Sequence, residues 1–268
     1  MDRQEIAQAN RLAWNEATVK HREARKDELK KAFGKSGFST LDEHIITKLR
    51  ELNLEGKAVA QTSCNNGREV ISMVNLGAKS GVGFDISDNA IEEAKELGEI
   101  ARVDCSFVRT DVYDIGEVYN GSFDLVYISI GALVWLPDLD LFFMAVARIL
   151  KPGGKLLIYE THPFLYCFPA EDEPEFDLNN PLQVAYSYFR TDPWVTNDGI
   201  DYVGGTRYDA KTSYCYTQKV SDIINPIIRS GIAIKELLEY EHDIDGTFGP
   251  IEKEKKVPLC YMLIGEKS

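Results

Sequence analysis

The chain has 268 residues, 44% of them hydrophobic and 27% charged, and carries a formal net charge of −13 at pH 7. This balance is ordinary for a globular protein, and the length allows one large α/β domain or one domain with a substantial insertion. The acidic charge argues against a nucleic-acid partner, because such binding depends on positive side chains that neutralise phosphates.

The cysteines and the apolar runs indicate the compartment. Five cysteines are scattered without a C-x-x-C pair, which favours a reducing environment over a disulfide framework or a zinc site. The N-terminal segment MDRQEIAQAN has no apolar signal region, and the most apolar run, Leu141–Leu150, is too short to cross a bilayer. We therefore expect a cytoplasmic protein with no metal site and no membrane partner.

Residues 1–53 are predicted to be helical, with a break at Gly34–Gly37 that divides them into at least two helices. Trp14 is a candidate either for a core anchor of these helices or for a lid residue over a bound ligand.

The segment from Gly56 to Asp85, GKAVAQTSCNNGREVISMVNLGAKSGVGFD, is the most informative part of the chain. It predicts a strand to Thr62, a polar turn, a helix from Arg68 that ends near Gly77, and a strand that ends on Asp85. In a parallel βαβ unit, the helix start after the turn presents backbone N–H groups to the crevice above the sheet. The acid at the end of the next strand is suited to two ribose hydroxyls, so the pattern predicts an adenosine-containing ligand. Alternatively, the turn has only a structural role and the acid is a solvent-exposed strand end with no ligand.

The following elements continue the alternation of helix and strand. A helix capped by Ser87 runs to about Glu99 and another covers Leu139–Leu150. Three further strands are predicted at Ser106–Thr110, Phe123–Ile130 and Lys155–Glu160, the last after a helix stop at KPGG. This alternation predicts a doubly wound parallel sheet.

The pattern changes between residues 164 and 216, which hold 12 of the 28 aromatic residues. Short β-like pieces are predicted at Val184–Phe189 and Tyr214–Gln218. A helix over Val220–Ser230 and strands at Ala233–Tyr240 and Pro258–Ile264 follow. The aromatic residues either contact a substrate or form a small core of their own.

Five motifs, in order, resemble those of the class I S-adenosylmethionine-dependent methyltransferases. They are VAQTSCNNG, GVGFDIS, FVRTDVYD, FDLVYISIGALVWLPDL and ARILKPGGKLLIYE, and the resemblance covers roughly residues 10–165 and, more loosely, 214–265. It implies an α/β fold with a doubly wound, seven-stranded, mostly parallel, Rossmann-like sheet, whose last strand lies antiparallel beside the fifth. N-terminal helices and an inserted β-rich lid complete the expected architecture.

The domain boundaries follow from this comparison. We expect a helical cap at residues 1–53, a cofactor-binding core at 54–163, a substrate or lid segment at 164–216, and the last helix and two strands of the core at 217–268.

The resemblance also implies the cofactor, S-adenosylmethionine, with S-adenosylhomocysteine as product, and a set of binding residues. Backbone groups of the first turn would hold the methionyl moiety, Asp85 the ribose, and Asp111 the adenine amino group. The implied cofactor residues are Gln61, Ser63, Cys64, Asn65, Gly67, Asp85, Ile86, Ser87, Asp111, Val112, Ser129, Ile130 and Gly131.

Candidates for the acceptor site come from the ends of the strands and from the aromatic insertion. His162, just after the fifth strand, is the candidate general base, with a simple turn residue before Pro163 as the alternative. The candidate substrate contacts are Trp14, Trp135, Tyr166, Tyr186, Trp194 and Tyr216.

The first motif departs from the family pattern acid-x-Gly-x-Gly-x-Gly. Gln61, Ser63 and Asn65 occupy the first three of these positions and only Gly67 survives, so the turn is similar to the L-Q-C-x-x-G form of some bacterial small-molecule methyltransferases. Gln61 can accept a hydrogen bond from the methionine amine but offers no charge.

Other nucleotide-binding classes fit less well. A nicotinamide-dependent oxidoreductase should show G-x-G-x-x-G at the first turn, and a phosphate-binding P-loop needs G-x-x-x-x-G-K-[ST]; neither is present. The resemblance thus implies a methyltransferase that methylates a small molecule by in-line displacement, and we expect it to be cytoplasmic and monomeric or homodimeric. The alternative is a non-catalytic protein of the same fold that binds the cofactor or a nucleoside.

Overall fold

A seven-stranded sheet forms the centre of the computed structural model, which describes residues 1–268. The strands are β1 Ala58–Thr62, β2 Ser80–Asp85, β3 Cys105–Arg109, β4 Phe123–Ile128, β5 Leu150–Thr161, β6 Trp194–Thr196, β7 Ser213–Cys215, β8 Ile232–Tyr240 and β9 Cys260–Lys267. The helices are α1 Arg3–Arg25, α2 Glu28–Phe33, α3 Glu43–Glu51, α4 Arg68–Asn75, α5 Asp88–Ala101, α6 Leu139–Ile149, α7 Val220–Arg229 and α8 Gly249–Glu254.

The strand order is β3-β2-β1-β4-β5-β9-β8. The first five strands pair in parallel, whereas β9 lies antiparallel between β5 and β8. This confirms the predicted sheet, including the last strand beside the fifth.

Alternate residues of the central strands face two separate cores, which is why these strands read as apolar on both faces. On one face, Val126 and Ile128 of β4 pack with α6 and α7. On the other, Leu125 and Tyr127 of the same strand pack with α3, α4 and α5. Helices therefore cover both sides of the sheet, as the doubly wound pattern predicted.

Close packing explains a glycine inside β2. A Cβ on Gly83 would lie 2.6 Å from the Cys64 Sγ atom and 2.7 Å from the Phe107 ring. Gly83 thus lets the turn after β1 sit directly against the sheet, and the glycines of β2 belong to packing.

The regular elements differ from the prediction at several places. The KPGG segment lies within β5, where the register with β4 shifts from Phe123–Leu150 to Leu125–Lys155, so the backbone bulges at Gly153 (φ +74°) and does not simply turn. The strand predicted at Val184–Phe189 is wrong, because that segment consists of turns and bends. Helix α8 was not predicted.

The insertion contains less β structure than expected. Only the ribbon of β6 and β7 forms, with Trp194 opposite Cys215 and Thr196 opposite Ser213. The N-terminal segment contains three helices, since Lys26 (φ 51°) ends α1 before the predicted break. The division of the chain into four segments remains a prediction. No helix has the length and apolarity needed to cross a membrane.

Candidate functional site

The turn after β1 lies at the centre of the sheet's carboxyl edge. Strand β1 runs between β2 and β4, and the order of the sheet reverses at this point. In open α/β sheets, ligands bind at such a switch point, outside the carboxyl ends of the strands.

The turn adopts the backbone conformation that glycine-rich motifs favour, although two of its three glycine positions carry side chains. Ser63, Asn65 and Gly67 have φ values of 53°, 49° and 71°, all in the left-handed region. The Asn65 side chain accepts a hydrogen bond from the Asn66 N–H (2.7 Å), which is the local bonding that lets asparagine tolerate this region. Cys64 is buried beneath the turn.

Asp85 joins the end of β2 to this turn. One carboxylate oxygen accepts from the Asn65 N–H (2.7 Å) and the other from the Ser87 N–H (2.8 Å). Burial raises the pKa of Asp85, while the backbone N–H groups oppose that shift. Each oxygen keeps a further lone pair, so the carboxylate can still accept from two hydroxyl groups.

Helix α1 packs over the residues that follow Asp85. The Asn15 side chain accepts from the Ser87 hydroxyl (2.8 Å) and donates to Asp88 (3.0 Å), and its backbone oxygen accepts from the Asn89 amide (2.9 Å). Ser87 also caps α5 by accepting from Ala90, as predicted. Ile86 is half-buried.

Asp111 follows β3 and accepts from the Tyr113 N–H (3.1 Å), so it caps a short 3₁₀ turn. Its other oxygen lies 3.7 Å from the guanidinium of Arg3 in α1. Burial raises the pKa of Asp111, against the effect of the Tyr113 N–H and Arg3. Val112 is buried beside it.

The segment after β4 meets the end of β1 through Gln61. The Gln61 amide nitrogen donates to the Ser129 hydroxyl (2.9 Å) and to the Glu69 carboxylate. Ile130 is half-buried, and Gly131 has a φ of 75°. Hydrogen bonds thus join residues of the first, second and fourth motifs at the carboxyl edge of the sheet.

Glu160, the penultimate residue of β5, fixes the loop after Ser129. Its carboxylate accepts from the backbone N–H groups of Gly131 (2.6 Å), Ala132 (3.0 Å), Leu133 (3.3 Å) and Thr161 (3.0 Å). Burial nevertheless raises the pKa of Glu160 to about 7, although these N–H groups favour the ionised form.

An aromatic cluster, formed by Trp14, His21, Trp135 and Tyr202, lies beside the first turn. The Trp14 and Trp135 rings meet edge to face at 5.2 Å, and His21 lies 4.4 Å from Tyr202. The Asn65 amide donates to the Tyr202 hydroxyl (3.3 Å), which connects the cluster to the turn. Trp14 is therefore placed near the candidate site.

The other predicted substrate residues separate into two groups. Tyr166 lies near Glu160 and Asp245, and its burial, with these charges, raises its pKa. The Tyr216 N–H donates to the Val134 carbonyl (2.6 Å), beside Trp135. Tyr186 and Trp194 instead pack on each other (4.8 Å) within the insertion. That pair resembles a small core of the insertion.

The His162 ring packs towards α7 and β8. Its Nδ1 accepts from the Phe164 N–H (3.2 Å), and its Nε2 lies 3.1 Å from the Glu239 carboxylate. The ring borders a cavity of about 40 Å³ lined also by Val220, Ile223 and Leu237. No contact joins His162 to the residues around Asp85, so the structure does not bring the predicted base together with the predicted cofactor residues.

Several residues of this site were not predicted from the sequence. Glu69 follows Gly67 by two positions, and Glu160 ends the fifth predicted strand, so both had a positional signal. His21 lies seven residues after Trp14, two turns along the same helix face. No pattern in the sequence indicates Tyr202, because its contacts come from distant parts of the chain.

Comparison with known proteins is consistent with this geometry. Residues 61–158 match the family model described as a methyltransferase domain. The chain is 27% identical over 177 residues to a tRNA U34 carboxymethyltransferase of Campylobacter curvus, covering 56% of this chain and 59% of the relative. It is 29% identical over 172 residues to a demethylmenaquinone methyltransferase of Lactococcus lactis, covering 62% and 66% respectively. The matches thus span less than two thirds of these relatives.

Among solved structures, an S-adenosylmethionine-dependent methyltransferase of Mesorhizobium loti superimposes with a TM-score of 0.62 at 23% identity, covering 82% of this chain and 96% of that chain. This similarity shows the fold, and the matching domain lies on the strands that form the crevice. The chain therefore contains a segment, residues 61–158, that matches the methyltransferase-domain family, and it has the fold of S-adenosylmethionine-dependent methyltransferases.

Proposed function

We propose that the protein is an S-adenosylmethionine-dependent methyltransferase that acts on a small molecule. The observation that carries this proposal is the convergence of the first turn on Asp85, whose carboxylate accepts from the Asn65 N–H at 2.7 Å. That contact brings the candidate methionyl-binding and ribose-binding residues together, and it accompanies the family match over residues 61–158.

The residues present fit an adenosyl ligand. Ser63, Asn65 and Gly67 adopt the left-handed backbone conformation that a glycine-rich turn favours, and Asp85 retains lone pairs for hydroxyl groups. Asp111 and Val112 follow β3 at the same edge, on the side of Asp85 expected for the adenine ring. Ser129, Ile130 and Gly131 would border the opposite end of the ligand.

S-adenosylmethionine, when bound, supplies a methyl group on a sulfonium, which is an electrophile that needs no acid to activate it. The protein's part is to hold the acceptor in line and to exclude water. The half-buried rings of Trp14 and Trp135 contact each other beside the turn and are placed to do both.

The acceptor class follows from charge and from these aromatic residues. A chain with a net charge of −13 is poorly suited to a polyanion, and flat aromatic surfaces suit a planar, apolar or cationic small molecule. We do not assign His162 as the base, because both ring nitrogens contact other groups. An acceptor whose nucleophile carries no proton at neutral pH needs no base.

Calorimetric titration with S-adenosylmethionine, S-adenosylhomocysteine and NAD tests the cofactor. We expect micromolar binding of the two adenosyl ligands and none of NAD. Asp85→Ala should abolish that binding, whereas Asp104→Asn, an exposed acid just before β3 at the opposite edge, should leave it unchanged. Absence of adenosyl binding by the wild-type protein would refute the proposal.

A second candidate function is non-catalytic binding of the cofactor. The altered first turn favours it, since Gln61 stands where the family pattern has an acid and offers no charge to the methionine amine. Release of S-adenosylhomocysteine in the presence of a panel of small amines, phenols and thiols distinguishes the two. Turnover with any acceptor would exclude the purely binding role.

A further inference from the structure

The Gln61 side chain combines complete burial with an unpaired acceptor. Gln61 is 1% exposed, and its amide nitrogen donates to the Ser129 hydroxyl (2.9 Å) and to the Glu69 carboxylate. Its amide oxygen is buried and has no hydrogen-bond partner. A buried acceptor without a donor is unfavourable, so a ligand that supplies a donor at this place would bind well.

The orientation of this amide follows from its neighbour. An ionised carboxylate can only accept, so the nitrogen of Gln61, and not its oxygen, must face Glu69. The oxygen is thereby directed to the remaining side. Gln61 Oε1, the Ser129 hydroxyl and the Glu69 carboxylate together form a group of acceptors at the end of β1.

Glu69 is placed to act at the crevice. It is the second residue of α4, two positions after Gly67, and is only partly exposed. Burial, followed by the charges of Asp85 and Glu69, raises the pKa of Cys64 beneath the turn. Burial, followed by Glu69, likewise raises the pKa of Tyr127 near the end of β4. The Glu69 carboxylate therefore lies near the buried ends of both strands.

We propose that Glu69 supplies the negative charge that Gln61 lacks and binds the α-ammonium group of the adenosyl ligand, together with Gln61 Oε1 and Ser129. An ammonium group carries three donors and no acceptor, which matches a site made of acceptors and one anion. This inference rests on the proposed function. It makes Glu69 the residue that distinguishes adenosyl ligands with an amino-acid portion from those without one.

The test compares two ligands that share the adenosine and thioether. S-adenosylhomocysteine carries the α-ammonium group, whereas 5′-methylthioadenosine lacks the amino-acid portion. Calorimetry should show that Glu69→Gln weakens S-adenosylhomocysteine binding about 10- to 100-fold, as expected for loss of a charge-assisted hydrogen bond. The affinity for 5′-methylthioadenosine should change less than about 2-fold. Glu99→Gln, in the last turn of α5 and exposed, is the control and should alter neither affinity.

A double variant provides a second test, whose expected result is recovered binding and so cannot come from a misfolded protein. Gln61→Glu combined with Glu69→Gln exchanges the two partners, so that the side chain at position 61 becomes the acceptor and the charge returns to the strand end. We expect this variant to recover S-adenosylhomocysteine binding to within about 5-fold of wild type, a difference of less than 1 kcal/mol. Thermal unfolding verifies that each variant is folded.

The outcomes separate the inference from the proposed function. Unchanged S-adenosylhomocysteine affinity in Glu69→Gln would overturn the role of Glu69 and leave the methyltransferase proposal intact. Equal loss for both ligands would also overturn it, since Glu69 would then act through the turn and not through the amine. If the wild-type protein bound neither ligand, the proposed function itself would fail.

Discussion

At the scale of single residues, the turn after β1 depends on Gly67 for two separate reasons. Its φ of 71° is left-handed, and an added Cβ would lie 2.3 Å from a Phe107 ring carbon and 2.9 Å from the Ala94 Cβ. We expect Gly67→Ala to lower the free energy of unfolding by about 2–4 kcal/mol, because overpacking adds to the conformational cost. Urea unfolding measures this.

Gly121→Ala is the matched control for that prediction. Gly121 also has a left-handed φ (59°), but nothing lies within 4 Å of a Cβ there. This variant should lose only about 1 kcal/mol, which is the conformational cost alone. Equal losses for the two variants would mean that the steric contacts of Gly67 contribute nothing.

Residues that end predicted strands were the easiest to place from the sequence. Asp85 was assigned because it ends an apolar strand and Asp111 because the family resemblance implies it, and both lie at the carboxyl edge of the sheet. The position of a residue after a strand does not, however, show in which direction its side chain points. His162 also follows a strand, yet its ring contacts Glu239, which is distant in the sequence and was predicted only as part of β8.

The contacts of Glu69 show a second limit of sequence reasoning. Its position after Gly67 is visible in the sequence, but its approach to Gln61 depends on how α4 packs on the sheet. A glutamate near a helix start is common because it favours the helix dipole. The packing of α4 on the sheet places this glutamate beside a buried amide with an unpaired oxygen.

At the scale of elements, α1 is the part of the structure that covers the candidate site. It contacts the start of α5 through Asn15, approaches Asp111 through Arg3, and exchanges two hydrogen bonds between Asn10 and Tyr214 of β7 (2.9 and 2.8 Å). The helix is thus attached both to the sheet edge and to the insertion, so a bound ligand should alter its surroundings.

Tryptophan fluorescence can detect that alteration. The chain has three tryptophans; Trp14 and Trp135 contact each other beside the turn, whereas Trp194 packs with Tyr186 and Arg190 in the insertion. We expect S-adenosylhomocysteine to change the emission of the wild-type protein. The change should be retained in Trp194→Phe and lost when Trp14 and Trp135 are both replaced by Phe.

The opposite result would be informative about the lid. If Trp194→Phe removed the signal, the ligand would act on the insertion and not on α1. Calorimetry on the same variants shows whether each still binds the ligand, so that loss of signal is not confused with loss of binding.

Elements with a strong period were predicted well, and those fixed by tertiary contacts were not. The helix at Arg68–Asn75 and the strand at Ser80–Asp85 agree with the apolar pattern. The strand at Val184–Phe189 was inferred from β-branched and aromatic residues, but Val184 and Phe189 are exposed, and no strand lies beside them. Without a sheet to join, propensity alone does not form a strand.

At the scale of the whole molecule, the stability is expected to depend on pH through two buried groups with opposite effects. Burial raises the pKa of Glu160 from 4.5 to about 7, whereas burial lowers the pKa of His21 from 6.5 to about 4. A shift of this size corresponds to about 3 kcal/mol for each group. Their effects oppose each other over much of the range between pH 4 and 7.

Glu160→Gln isolates one of these effects. Because its folded pKa is raised, Glu160 contributes stability that is fully present below pH 4.5 and is lost as the pH rises through 7. The Gln side chain does not ionise. The free energy of unfolding of the variant minus that of wild type should therefore rise by about 3 kcal/mol between pH 4.5 and 7.5. At pH 5 the variant should be less stable, since the Gln NH₂ group cannot accept from the backbone N–H groups that Glu160 binds. Urea unfolding across the pH range measures both.

His21→Gln should give the reverse dependence. The His21 Nε2 lies 2.7 Å from the Ile200 carbonyl, so neutral histidine donates there, and a glutamine amide can replace that donor. The folded pKa is lowered, so its stabilising contribution is present above pH 6.5 and is lost as the pH falls through 4. The free energy of unfolding of the variant minus that of wild type should therefore fall by about 3 kcal/mol as the pH rises from 4 to 6.5. A difference that stays flat would show that burial does not hold His21 neutral in the folded protein.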